Sequence, residues 1–111
     1  MRSDRERLED IAEAARLVRE EVAPRIGDLE RDPILLLATE RLVEIIGEAA
    51  ANISPELQAS HPSVQWRGPI GIRNILAHRY FGIDVGVIRQ VIEGDVPRLE
   101  QQIEAILAEL E

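Results

Sequence analysis

The chain contains neither cysteine nor lysine. Without thiols there is no disulfide, no thiolate nucleophile and no cysteine-based zinc site. Its two histidines, His61 and His78, stand in very different contexts, so a histidine-built metal cage is not expected and no cofactor is called for. Aromatic residues are scarce, with one Trp, one Tyr and one Phe. No apolar run approaches the length of a membrane span, and no apolar signal-peptide core follows the charged N-terminus. A cytoplasmic chain with no membrane contact is the expectation. Strand alternation, hairpin turns and internal repeats are absent from the sequence as well. A formal net charge of -8 argues against broad, non-specific nucleic-acid binding, which draws its energy from many phosphate contacts. Any such contact has to be local and made by a few arginines. All 13 basic residues are arginine, which suits forked phosphate contacts, although genomic base composition is the simpler explanation.

What is present is an ordinary globular composition, 45% hydrophobic and 31% charged over 111 residues. That length predicts one domain, residues 1–111, short enough that pairing with a second copy would help it bury apolar surface. Over residues 4–22, Leu8, Ile11, Ala12, Ala15, Val18 and Val22 recur at spacings of three and four, the buried stripe of an amphipathic helix. Pro24 and Gly27 close it, and residues 25–31 read as a polar connection. Asp32-Pro33 is a helix start, an N-cap followed by proline in the first turn, where a missing N–H costs nothing. The second helix runs to about Asn52 and carries an apolar face wider than one neighbour needs, including Ile34, Leu35, Leu37 and Leu42. It is expected to sit centrally or at a subunit contact. Packing is its simplest role, though Arg41, Glu44 and Glu48 share a side and can line a cleft.

Ser54-Pro55 repeats the cap-then-proline signal for a short helix ending before His61-Pro62. Trp66-Arg67-Gly68-Pro69 leads into a helix with Ile70, Ile72, Ile75 and Leu76. Asp84 caps a further helix with Val87, Ile88, Val91 and Ile92. Gly94-Asp95-Val96-Pro97 marks a break or kink before a last helix whose seam is Leu99, Ile103, Ile106 and Leu110. The predicted fold is all-α, an antiparallel bundle of four main helices plus short ones.

One stretch departs from this scaffold. Arg73-Asn74-Ile75-Leu76-Ala77-His78-Arg79-Tyr80 interrupts an apolar pattern with most of the residue types that do chemistry. Between residues 57 and 83 there is no acid, while that window holds Arg67, Arg73, Arg79, both histidines and all three aromatics. A positive patch in an acidic chain calls for an anionic partner. On an ideal helix Asn74 and His78 lie one turn apart, whereas Arg73 and His78 are about 140° apart. One helix therefore does not clamp a ligand between Arg73 and His78 unless its end unwinds. Two copies meeting across a two-fold axis do, which predicts a homodimer with a shared site.

The octet, Arg followed by four residues, His, one residue and Tyr, resembles the motif of the HepT-like branch of the HEPN superfamily. The likeness extends to Asp32-Pro33-Ile34-Leu35, the run from Glu40-Arg41 to Glu48-Ala49, Ser54-Pro55-Glu56-Leu57, His61-Pro62 and Trp66-Arg67, about four fifths of the chain. Members of that branch are small helical ribonuclease toxins paired with an MntA-type nucleotidyltransferase antitoxin. The resemblance implies a metal-independent endoribonuclease of a type VII-like toxin–antitoxin pair. Its expected partners are RNA, a second copy and the nucleotidyltransferase, but not DNA. RNA supplies its own 2'-hydroxyl nucleophile, so a proton-transfer group and positive charge suffice. His78 is assigned as acid or base and Arg73 as clamp on the charged transition state. Asn74, Arg67, Arg79 and Tyr80 are candidates for phosphate or RNA contact, and Tyr80 is the residue that the resemblance marks for silencing by AMP transfer. The position between His78 and Tyr80, commonly Gly in that branch, is Arg79. A long side chain there leaves open a non-catalytic, nucleotide- or substrate-binding subunit of a nucleotidyltransferase complex.

On spacing alone the bland readings are the commoner ones. A single histidine near a helix end is more often a capping group than a catalyst. Arg73 can pair with Glu44 or Glu48, Tyr80 is more often a partly buried aromatic, and Arg67 and Arg79 are surface charges. His61 receives no role, and Trp66 is a packing anchor.

Overall fold

A reciprocal pair of hydrogen bonds starts the first helix. Ser3 Oγ accepts from the Glu6 N–H at 3.1 Å, and the Glu6 carboxylate accepts from the Ser3 N–H at 2.9 Å, satisfying two donors that a helix start otherwise leaves open. The computed structural model describes residues 2–68, 72–73 and 84–110. Its helices are α1 (Asp4–Leu17), α2 (Pro33–Ala51), α3 (Pro55–Ser60), α4 (Val85–Gln90) and α5 (Val96–Glu109). There is no strand among the described residues, so the all-α expectation holds.

The N-caps are those that the sequence announces. Asp32 accepts from the Ile34 and Leu35 N–H groups, both at 3.1 Å, Ser54 from Leu57 at 3.2 Å, and Asp84 from Gly86 at 2.6 Å. Each offsets part of the cost of ending a hydrogen-bond ladder, about 1 kcal/mol apiece.

Side chains at the helix ends set the topology. The Asp4 carboxylate accepts from the Ser54 N–H at 2.9 Å and from its hydroxyl at 2.6 Å, and Arg7 donates to the Asn52 carbonyl at 2.9 Å. Arg5 donates to the Leu110 carbonyl at 3.1 Å. The beginning of α1 thus meets the ends of both α2 and α5, and α1 lies antiparallel to each. The core forms around it from Leu8, Ile11, Ala15 and Val18 of α1, Leu35, Val43 and Ile46 of α2, and Leu99, Ile103 and Ile106 of α5. Full burial of the Leu, Ile and Val side chains among them contributes roughly 1.5–3 kcal/mol each.

Helix α1 continues into a widened π-type turn, Val18–Val22, and a tightened 3-10 segment, Ala23–Asp28. Helix α4 passes into α5 through a second π-type turn, Val91–Asp95. Each wide turn ends two residues before a proline, Pro24 or Pro97. A helical proline lacks the N–H and collides with the carbonyl four residues earlier. Those carbonyls, on Glu20 and Glu93, fall inside the widened turns, which supply the extra room.

Four expectations need correction or sharpening. The Gly94–Pro97 stretch is a widened turn and not a break, since the backbone stays right-handed helical through Gln90, Val91, Asp95 and Val96. The polar connection carries Leu29 into the core, where it is fully buried. Leu110 is exposed and so falls outside the core seam. Among the described residues the helix with a long partner on each side is α1, not α2. Helix α2 instead presents Ile34, 74% exposed, and Leu37, 60% exposed, to solvent.

Candidate functional site

After α3 the chain turns through residues 61–68, and local hydrogen bonds shape that turn. His61 closes α3, with its N–H donating to the Gln58 carbonyl at 3.2 Å. The His61 carbonyl then accepts twice, from the Val64 N–H at 3.2 Å and from the Trp66 indole N–H at 3.0 Å. Val64 and Trp66 are buried, so Trp66 is the packing anchor expected of it, with its one polar atom satisfied. Gly68 donates to the Gln65 carbonyl at 2.8 Å and has a φ of 87°, a conformation that suits glycine. A Cβ at Gly68 would lie 3.5 Å from Ile72 Cγ2 and 3.8 Å from Arg73 Cγ, so this bend brings the loop against the stem of Arg73.

The result is an open hollow of about 350 Å³ lined by Gln65, Trp66, Arg67, Gly68 and Arg73. Ile72 is buried beside it while Arg67 and Arg73 are both exposed. Two fixed positive charges share the hollow, and among the described residues no carboxylate lines it. Among the described residues neither arginine forms an ion pair, so the pairing of Arg73 with Glu44 or Glu48 weighed above is not found; Glu44 pairs with Arg41. Guanidinium groups in such a setting offer planar, forked donors to an oxyanion of phosphate type.

Of the candidate residues, Arg67 and Arg73 are brought together here. Asn74, His78, Arg79 and Tyr80 lie outside the described residues.

A second arginine-rich hollow, about 280 Å³, lies between α1 and α2 and is lined by residues including Arg2, Arg7, Arg41, Asp10 and Glu48. Arg41 and Glu48 do line a cleft, as their shared helix side allows, but two of its three arginines have a carboxylate partner and the third a carbonyl. Arg2 makes a two-pronged contact with Asp10 at 2.7 and 2.8 Å, Arg41 pairs with Glu44, and Arg7 is held by the Asn52 carbonyl.

Two polar contacts were not foreseen. Arg19 binds the largely buried Glu100 through contacts of 3.1 to 3.3 Å. His61, given no role above, contacts the Leu57 carbonyl through Nδ1 at 3.3 Å and the Glu109 carboxylate through Nε2 at 3.0 Å. Their partners lie 81 and 48 residues away along the chain, beyond the reach of local pattern. Among the described residues no group of three or more His, Cys, Asp or Glu is placed to hold a metal, and no helix is long and apolar enough to cross a membrane.

Comparison with known proteins adds to this geometry. Residues 8–106 match the family model described as "Ribonuclease HepT-like". A Thermococcus cleftensis protein named "Probable ribonuclease HepT" is 39% identical over 107 residues, covering 95% of this chain and 96% of the relative. A Caldanaerobacter subterraneus subsp. tengcongensis protein, provisionally named an RNase, is 36% identical over 108 residues, covering 96% of each. No solved structure matches the chain at a significant level.

Proposed function

We propose, since the chain belongs to the ribonuclease HepT-like family, that it is a ribonuclease, cutting RNA internally and without a metal at a site built from Arg73 and His78. The observation that carries this reading is the hollow on which Arg67 and Arg73 meet, free of acid among the described residues, in a chain whose formal net charge is -8. In an acidic molecule, two arginines with no counter-charge facing them are a place for a phosphate.

The chemistry follows from the substrate. The 2'-hydroxyl of RNA attacks the adjacent phosphorus, and the bond to the 5'-oxygen of the next nucleotide breaks. His78 takes the hydroxyl proton or delivers one to the leaving oxygen, and imidazole titrates close enough to neutrality for either task. Arg73 holds the phosphate oxygens as negative charge builds on them. Asn74 orients His78 or binds phosphate. Arg67, Arg79 and Tyr80 extend the contact along the RNA, Tyr80 with a ring able to stack on a base.

On an ideal helix Arg73 and His78 lie about 140° apart, so in this reading the working site takes Arg73 from one copy and His78 from the other. Ile34 and Leu37 support such pairing, because a solvated pair of large apolar side chains on one side of α2 is surface that a second copy can cover. Purified protein should cut RNA in EDTA, whereas His78→Ala should be slowed about 10²–10⁴-fold; undiminished cutting by that variant would remove His78 from the mechanism.

The same reading makes the chain the toxin of a toxin–antitoxin pair, silenced when an MntA-type nucleotidyltransferase places AMP on Tyr80. A bulky anion there would occupy the phosphate site and repel RNA. Intact-mass measurement after incubation with that partner and ATP should show added AMP on wild type and none on Tyr80→Phe. Arg79 favours a second reading, a binding subunit without cleavage, because its side chain adds bulk and charge next to His78. That reading predicts RNA or nucleotide binding with no cutting by wild type.

A further inference from the structure

The loop that carries Arg67 and approaches Arg73 rests on α5, and the contacts between them include an ionisable group. His61 stands at the base of this loop. Its Nδ1 faces the Leu57 carbonyl at 3.3 Å and its Nε2 faces Glu109 Oε2 at 3.0 Å. Both partners are oxygen acceptors. A neutral imidazole has one donor nitrogen and can satisfy only one of them, whereas the imidazolium satisfies both. The backbone carbonyl of the same residue holds the Trp66 indole at 3.0 Å and the Val64 N–H at 3.2 Å. Farther along α5, Gln102 donates to the Ser63 carbonyl at 3.4 Å. One residue therefore ties together the end of α3, the end of α5 and the indole that forms a wall of the arginine hollow.

We infer that His61 is a positioning residue, an imidazolium clasp that holds the loop bearing Trp66 and Arg67 against α5, so that the arginine hollow is held in shape while His61 is protonated and loosens when it is not. The clasp stands on these contacts alone; its consequence for RNA rests on the function proposed above.

The charged groups around the clasp come from each element packed against it. Glu109 of α5 faces the ring directly, and Arg5 of α1 donates to the Leu110 carbonyl one residue on. Asp95 and Arg98 line a small hollow of about 30 Å³ with Ser63 and Gln65. The bond to Glu109 is the main cause raising the pKa of His61, helped by the Leu57 carbonyl and opposed by burial. A raised folded-state pKa means that the clasp stabilises fully below the unfolded value of about 6.5 and is lost as pH rises through the folded value.

Trp66 is the only tryptophan, so its fluorescence reports the loop directly. Titrated from acid to alkaline pH, the wild-type emission should move to longer wavelength and become easier to quench, with a midpoint above about 6.5 and no change in helix content. His61→Gln should abolish that step. Glu109→Gln, at a largely exposed carboxylate, should lower its midpoint. Asp95→Asn and His78→Ala should leave it in place. A 2'-O-methylated RNA, which lacks the nucleophile, should bind several-fold more weakly across the same step in wild type and not in His61→Gln. An emission step that follows His61 with no RNA binding at all would keep the clasp and remove the RNA reading. Flat wild-type emission while the His61 ring titrates by NMR, or a step unchanged in Glu109→Gln, would overturn the clasp.

Discussion

The two arginine-lined hollows contain the same side chain in opposite circumstances. Between α1 and α2, Arg2, Arg7 and Arg41 have carboxylate or carbonyl oxygens to bind, and Asp10 and Glu48 stand among them. In the hollow after α3, Arg67 and Arg73 face no acid among the described residues. The number of arginines does not separate the two; the counter-charge does. Exposed ion pairs are worth about 0.2–1 kcal/mol and leave little field for a ligand, whereas unpaired guanidiniums keep theirs. A lining free of acid, rather than an abundance of base, marks the place where an acidic protein can meet a phosphate.

The difference can be broken experimentally at several points. Arg73→Ala should lower the cutting rate about 10²–10³-fold, the scale of losing one charge-stabilising donor at a transition state, with the melting temperature nearly unchanged. Arg41→Ala should do the reverse, keeping the activity and costing about 0.2–1 kcal/mol of stability; denaturant melts and initial rates measured side by side compare the two. Equal rate losses in both variants would erase the distinction between the hollows. A smaller effect is expected at the α2 surface. Leu37→Asp, at a position 60% exposed in one chain, should leave the single chain folded but weaken association in sedimentation, and activity should fall with it at low protein concentration. Unaltered association would move the contact elsewhere.

Much of the scaffold was legible because its signals are local. Asp32-Pro33, Ser54-Pro55 and Asp84 cap helices through bonds that span two or three residues. The stripe from Leu8 to Val22 needs only helical periodicity. What escaped depends on distance along the chain or on a choice between local outcomes. Leu29 looked like part of a polar connection because burial of one leucine in a short segment has no period. Pro97 signalled trouble correctly, but only packing decides whether a helix breaks or widens, and here the turn packs back into the core through Val91, Ile92 and Val96. Arg19 with Glu100, and His61 with Glu109, join helices far apart in sequence. At the candidate site, the acid-free window and Arg73 were readable from composition and motif. That Arg67 shares a hollow with Arg73 follows from the bend at Gly68, which sequence alone does not locate in space.

The sharing of one site by two copies can be measured directly by mixing two inactive variants, Arg73→Ala and His78→Ala, under conditions where subunits exchange. If Arg73 and His78 come from different chains, each mixed dimer regains one intact site, and cutting should reappear on mixing. A mixture as inactive as either variant alone, with exchange verified by mass, would contradict the shared site.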